Sequence, residues 1–491
     1  MKEKDSFLSK LKRRGFTQNL EDIRLCRQAY KGGSEFISKE NLFSHCRERD
    51  EEYTDRLKRA YYLNYTSPIV DTYSFFLFKT PVTRNFQEDS LRLRIFMNDC
   101  DKKGTSFDQF IKDRVTSVLV SGSEFIVIDV PQQETLTVQD ELESNKRPYL
   151  YSIKTEDVLD YEEDENGIVW IKYLEVRQDK GGSWDYEGEG QKTLYVVWSR
   201  GLYQSFDADG NIVDNIKLNI DFVPIVSIKF MNGESLIRDI ARVNRSLFNW
   251  SSLLDEILYR QTFSWLVVPG DKNESLSEKK IGTSWAWTFD PDSKHLPQFI
   301  SPDSSQAATY ETRCEKAIAE IYRIANLDWA NSQMANKSGI AKAYDFMNVN
   351  KALSALAYAF QEAEKRIFRF IARYHGEDID ASDAKLDSSL DVYIQYPSEF
   401  SYTALTDKLS RLYEGLTTEF SKRFKKLCAN QIVDSIFPML NEADKSEIEQ
   451  EIESFYDSSD LTGVDDKTLE ELAALQNEEQ LNNNQENEEN Q

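Results

Sequence analysis

Three amphipathic stripes at helical spacing dominate the chain between residues 234 and 376, and what interrupts them limits how it can fold. In 234–262, Leu236, Ile240, Val243, Leu247, Leu254 and Ile257 or Leu258 recur at three and four residues, with Ser251 in the one slot that is not apolar. In 303–325, Tyr310, Cys314, Ala317, Ile321 and Ile324 make a heptad-like seam. In 346–376, Phe346, Val349, Leu353, Leu356, Phe360, Ala363, Ile367 and Ile371 mark a buried face, and Gly376 stands where a glycine cap is expected. The segment between the first two stripes, 266–302, is too short for a core of its own. Trp285, Trp287 and Phe289 alternate within it onto one strand face, so they need a partner elsewhere in the chain or on a neighbouring subunit. Between the second and third stripes lies NLDWANSQMANKSGIAKA (326–343), polar and soft, with almost nothing to anchor a core.

The flanking regions complete an α+β, mainly helical pattern. Residues 1–115 read as helices, and Thr66-Ser67-Pro68 splits 51–82 into two apolar segments. Ser67 is the expected start of the second of these and Pro81 its end. The period then shortens to two. EFIVIDVP (124–131), two runs joined by Asp-Glu-Asn-Gly within 148–176, a pair in 193–211 turning at Asp209-Gly210-Asn211, and FVPIVSIKF (222–230) all read as strands. A strand in 391–397 and helices over 402–455 follow.

The 491 residues are too many for a single core; about one domain per 150 residues is the usual prior. The longest apolar runs fall far short of a membrane span, and the charged N-terminus has no secretory pattern. Five scattered cysteines and three isolated histidines (His45, His295, His375) argue against a disulfide framework, a metal site or a cofactor. The net charge is −25, and residues 441–491 carry −15 of it, with 17 acidic and 2 basic side chains. The end of that tail has too little apolar surface to offset ordering entropy, so residues 457–491 are expected to be disordered.

Catalytic signatures are missing. There is no phosphate-binding G-x-x-x-x-G-K-[ST], no G-x-S-x-G and no H-E-x-x-H; GEGQKT (188–193) reads as a hairpin tip. The acidic pairs Glu162-Glu163 and Asp465-Asp466 stand in polar contexts, and the short basic cluster KLKRR (10–14) reads as solvated surface. An acidic chain without a basic face is not a tight nucleic-acid binder.

Several stretches, in order, resemble the portal proteins of tailed bacteriophages. RLKRAYYLNYTSPIVDTYSFFLFKTPV is similar to that family's N-terminal helices, and VTSVLVSGSEFIVIDVP to its helix-to-strand step. PYLYSIKTEDVLDYEEDENGIVW matches its next strands. FVPIVSIKF with SLIRDIARVNRSLFNWSSLLDEILYRQTFSWLVVPG is the closest stretch, and AIAEIYRIANL and SGIAKAYDF resemble the segments either side of the family's tunnel loop. The resemblance covers about residues 50 to 375. It implies a wing at 1–233, a first stem helix at 234–265, a clip at 266–302, a second stem helix at 303–326 and a tunnel loop at 327–345. A long helix returning to the wing (346–400), a helical crown (401–456) and the acidic tail follow.

The resemblance also implies a homo-oligomeric ring, typically of twelve subunits, at one capsid vertex of the virion. Such a ring is assembled in the host cytoplasm and passes double-stranded DNA during packaging and ejection. The implied partners are the terminase large subunit, which carries the ATPase, capsid and scaffold proteins, head-completion adaptors and non-sequence-specific DNA; no membrane, cofactor or enzymatic activity is implied. Asn331, Gln333, Asn336, Lys337 and Lys342 would line the channel, the two lysines touching phosphates. Trp285, Trp287 and Phe289 would pack against a neighbouring clip, and Glu274, Glu278, Lys279 and Lys280 are candidates for terminase docking. Two other readings stand beside it: a non-ring capsid-associated adaptor or scaffold, which shares the acidic charge and the lack of an active site, and a DNA-processing enzyme whose metal-binding carboxylates lie far apart in sequence.

Overall fold

The computed structural model describes residues 2–16, 20–86, 91–130, 147–165, 167–178, 191–218, 220–261, 265–267, 298–300, 305–327, 339–374, 393–397, 400, 405–418, 421–436 and 442–458. The chain divides into a large unit, residues 1–401, and a small one, 402–491. The described strands are β1 (Thr83–Asn85), β2 (Ser123–Asp129), β3 (Tyr149–Ile153), β4 (Val158–Asp164), β5 (Gly167–Gln178), β6 (Gln191–Ser199), β7 (Leu202–Phe206), β8 (Ile212–Lys217), β9 (Ile225–Lys229), β10 (Trp265–Val267), β11 (Gln298–Ile300) and β12 (Tyr393–Gln395).

One strand organises the interior of the large unit. β2 lies between β3 and β9, antiparallel to both, and is buried from Ser123 to Ile128. Its side chains alternate, so the strand serves two cores. Ile126 and Ile128, with Leu150, Val226 and Ile228, face the helical core. Phe125 and Val127, with Ile153 and Ile225, face the second sheet, meeting Val158, Ile171, Tyr173, Val196 and Trp198. The unbroken apolar run FIVI is therefore that of a strand covered on both sides.

The second sheet is an antiparallel meander in the order β4-β5-β6-β7-β8. The expected turns are where the pattern puts them: Asp164 pairs with Gly167 across β4–β5, and Asp207-to-Asn211 closes β7–β8. Asp207 Oδ1 accepts the N–H of Asp209 and of Asn211, and Gly210 has φ 75°, a conformation that favours glycine. Of GEGQKT, Gln191–Thr193 open β6, with Gln191 paired to Gln178; the rest lies outside the described residues.

The N-terminal helices from Leu20 onward pack on the other side, whereas the first, Lys2–Lys12, lies against the second sheet, its Phe7 ring edge-on to Phe206. The helix expected to begin at Ser67 is Thr66–Leu77, because the cap is Asn64: its Oδ1 accepts the N–H of Thr66 at 3.1 Å and of Ser67 at 3.0 Å. In KLKRR, Leu11 is buried and Arg14 donates to the Glu156 carbonyl at 2.7 Å, while Lys10, Lys12 and Arg13 are exposed. The cluster is thus a partly docked edge. Glu163 of the acidic pair likewise has partners, accepting from the Ser227 hydroxyl at 2.8 Å and the Lys229 ammonium at 2.5 Å.

The third long helix, Gly339–Tyr374, has 36 residues and spans about 54 Å at 1.5 Å per residue. It begins seven residues before the expected Phe346; Ala341, Lys342 and Ala343 are good helix formers. Its expected face is the buried one, fully so at Val349, Leu353, Leu356, Phe360 and Ile367. Glu364 sits on that face with no exposure and accepts two 2.7 Å bonds from Arg84 and one of 2.6 Å from the Tyr396 hydroxyl. Arg84 lies in β1, which pairs with β12, so this cluster joins distant parts of the large unit.

The small unit contains the helices Leu405–Thr417, Lys422–Ile436 and Glu442–Ser458, within the region read as helical. Cys428 packs close to Gly415, where an added Cβ would stand 3.0 Å from its Sγ. Of the residues expected to be disordered, Asp457 and Ser458 close the last helix, and 459–491 lie outside the described residues.

Candidate functional site

The first long helix is Arg238–Gln261, 24 residues and about 36 Å. The four residues before it make a turn instead, in which the Ser235 hydroxyl accepts the Ile237 N–H at 3.1 Å. The chain leaves the body along this helix, passes through β10, returns through its antiparallel partner β11, and re-enters along the second long helix, Ser305–Ile324. The two helices pack side by side, and the Arg313 guanidinium lies 4.9 Å from the Trp250 ring centre.

The near half of the first helix is locked to the body. Ile240, Ala241, Leu247 and Phe248 are buried, and Phe248 meets Phe36 and Tyr62 edge-on. Asn249 donates to the Asn41 carbonyl and accepts from the Phe43 N–H. The polar slot at Ser251 has a cause: its hydroxyl donates back to the Leu247 carbonyl at 2.9 Å, and beside it Ser252 accepts from the buried Arg56, which also clasps Glu48 in two 2.7 Å bonds.

The other face of this helix offers no free basic stripe among the described residues. Arg238 pairs with Glu234 and Asp239, Arg242 clasps both oxygens of Asp22, and Arg245 lies over the Phe43 ring. Further out, Glu256 holds Arg59 at 2.6 Å. Burial pushes the Asp255 carboxyl up, against the opposing pull of Tyr61 and Arg59.

The far half is built differently. Leu258 and Tyr259 are 49% and 63% exposed, and on the second helix residues 305–316 are exposed or half-buried. The expected seam is followed there, with Tyr310, Cys314 and Ile324 half-buried and Ala317 and Ile321 buried. Met347 and Tyr358, 60% and 66% exposed, leave large apolar surface on the third helix as well.

Most of the residues proposed from sequence lie outside the described residues: Asn331, Gln333, Asn336 and Lys337 of the loop, Trp285, Trp287 and Phe289, and Glu274, Glu278, Lys279 and Lys280. Lys342 is within the third long helix, not in a loop. Leu327, the first residue of the expected loop, is buried and donates its N–H to the Tyr322 carbonyl. The structure thus fixes the frame around the candidate site: a paired helical excursion ending in β10–β11, and the segment 328–338 between two long helices.

Among the described residues no group of three or more His, Cys, Asp or Glu could hold a metal ion, and no helix is long and apolar enough to cross a membrane. No family model matches the chain, and no curated protein matches its sequence. Among solved structures it is similar to a chain from the neck of an empty gene transfer agent (GTA) particle computed with C6 symmetry. The identity is 10% and the TM-score 0.41, over 84% of this chain and 94% of that one. A chain from the virion of a native GTA particle is similar at the same identity and score, over 85% and 95%. Likenesses this distant carry no argument about function.

Proposed function

We propose that this chain is the subunit of a ring-shaped channel of the phage portal type, set at one capsid vertex, through which double-stranded DNA is packaged and ejected. The observation that carries the reading is the order of elements around the paired helices. A long helix leaves the body, a β-paired excursion turns it, a second helix returns, and a short segment at 328–338 leads into a third long helix buried in the body. This is the frame the sequence resemblance implies for stem, clip and tunnel loop. The large apolar side chains of Met347 and Tyr358, 60% and 66% exposed, support a neighbouring subunit as their cover. Arg238, Arg242 and Arg245 of the first helix are engaged within the chain, which suits a conduit that must not grip its cargo.

In this reading the terminase docks on the segment after β10, tail-connector adaptors replace it later, and Trp285, Trp287 and Phe289 pack between neighbouring subunits. The test is native mass spectrometry of the purified chain with negative-stain images of the same sample. Particles of about twelve times the 57.1 kDa subunit with a central hole are expected. A compact dimer or tetramer without a hole overturns the channel and favours a non-ring capsid adaptor.

A further inference from the structure

Strand register gathers polar groups at one end of the interface between the two sheets. On β2 the row facing the second sheet reads Phe125, Val127, Asp129, and the paired row on β3 reads Ile153, Tyr151, Tyr149. On β5 the facing row reads Ile171, Tyr173, Glu175, Arg177; opposite Tyr203 and Ser205 on β7 stand Ile216 and Asp214 on β8. Each row begins apolar and ends polar, and the polar ends meet. There the sheets part around a cleft of about 540 Å³. Its walls include the rings of Tyr149, Tyr151, Trp198 and Tyr203 and the carboxylates of Asp101, Asp129, Glu175 and Asp214, with Lys103 and Arg177 as the lining cations.

Most of those charges are satisfied locally. Arg177 bonds Glu175, Asp214 at 2.7 Å and the Tyr203 hydroxyl at 2.7 Å, and Asp214 also accepts from Ser205. The Asp101 carboxylate accepts the N–H of Lys103 and Thr105 in its own turn. Asp129, like Asp101, is held by hydrogen bonds alone. It accepts from the Tyr149 hydroxyl at 2.7 Å and from the Val130 N–H, and among the described residues it has no ion-pair partner. Burial pushes its carboxyl up, while Lys102 pulls it down from a distance. Lys102 rests over the Tyr149 ring, 4.4 Å from its centre, so this wall already attracts one cation.

We propose that this cleft binds an organic cation, a guanidinium or alkylammonium head, with Asp129 as its counter-ion and the rings of Tyr149 and Tyr203 as its flanks. The lining carries four carboxylates against two cations, with Lys102 a third beside the Tyr149 ring, so the complement is positive by one charge, and the volume suits a small ligand or one long side chain. The head can come from a free diamine or from an Arg or Lys of another polypeptide. The proposal is independent of the ring reading.

The test is isothermal titration of the full chain with agmatine, with its neutral isostere (4-hydroxybutyl)urea, and with the peptide acetyl-Gly-Arg-Gly-amide. Saturable binding of agmatine, the peptide or both is expected, with the neutral isostere failing. Agmatine alone identifies a free cation; binding of the peptide identifies a presented side chain. Asp129→Asn, which keeps an acceptor for the Tyr149 hydroxyl, should weaken binding about tenfold or more. Tyr149→Phe keeps the ring and should bind at least as well as the wild type. Thermal melts establish that both variants are folded. Absence of saturable binding, equal binding of agmatine and its neutral isostere, or wild-type affinity in Asp129→Asn overturns the proposal.

Discussion

The first long helix buries Ile240, Ala241, Leu247 and Phe248 against the N-terminal helices, yet about three turns further on Leu258 and Tyr259 are 49% and 63% exposed. What changes is how fully this chain covers the helix: of the far pair only Leu258 belongs to the stripe, and the Arg59 guanidinium lies 4.3 Å from the centre of the Tyr259 ring. Near the body the cover comes from Phe36, Tyr62 and the Arg56–Glu48 clasp. Beyond it the helix has its partner Ser305–Ile324 on one side, and Arg59 reaches it at Glu256 and Tyr259. In the proposed ring a second copy would cover this more open end.

Truncation can break this contrast. Phe248→Ala should cost about 3–5 kcal/mol in chemical denaturation, because it empties a packed aromatic site. Leu258→Ser with Tyr259→Ser should change the stability of the isolated chain by no more than about 0.5 kcal/mol, while shifting native mass from ring to subunit. If the distal pair proves as destabilising as Phe248→Ala, the two halves are packed alike and the contrast fails.

A second test sharpens it at the third helix, whose covered face holds a charge. Glu364→Ala should cost about 3 kcal/mol, because it leaves the Arg84 guanidinium buried without its bidentate partner. Adding Arg84→Met should restore part of the loss, and calorimetric melts of the single and double variants measure the coupling. Additive losses would mean that Arg84 and Glu364 act separately.

The legible parts of this fold were those written by period. The three helical stripes, the doubly covered strand β2 and the turns at Gly167 and Gly210 all follow from spacing and from glycine at positive φ. What spacing could not give were the long-range polar contacts. Nothing in Thr83-Arg84-Asn85 announces a strand; it is one because β12 lies beside it. Asn64 outcompeted Ser67 as a cap through its longer reach. Nothing in the spacing of the third helix marks Glu364 as the acceptor on which Arg84 and Tyr396 converge. The loop and clip residues were chosen from resemblance, and only Lys342 among them falls within the described residues, inside a helix that starts earlier than its apolar face. The acid in FIVID was likewise hidden at the end of an apolar run, although its alternation with Phe125 and Val127 was a signal that it points inward.

That acid gives the smallest effect and the most specific one. The interface between the sheets has an apolar end at Phe125 and a polar end at Asp129, and only the polar end should respond to pH. Burial holds the Asp129 carboxyl above the usual carboxylate range, against the bonds from Tyr149 and Val130. The unfolded chain therefore gives up this proton at lower pH than the folded chain. The contribution is complete below the unfolded value and is lost as pH rises through the folded one. Asp129→Asn does not titrate, so its melting temperature should match the wild type in acid and exceed it slightly at neutral pH. A difference that stays constant across that window would show that Asp129 keeps its charge at no cost, and would place the polar end on the same footing as the apolar one.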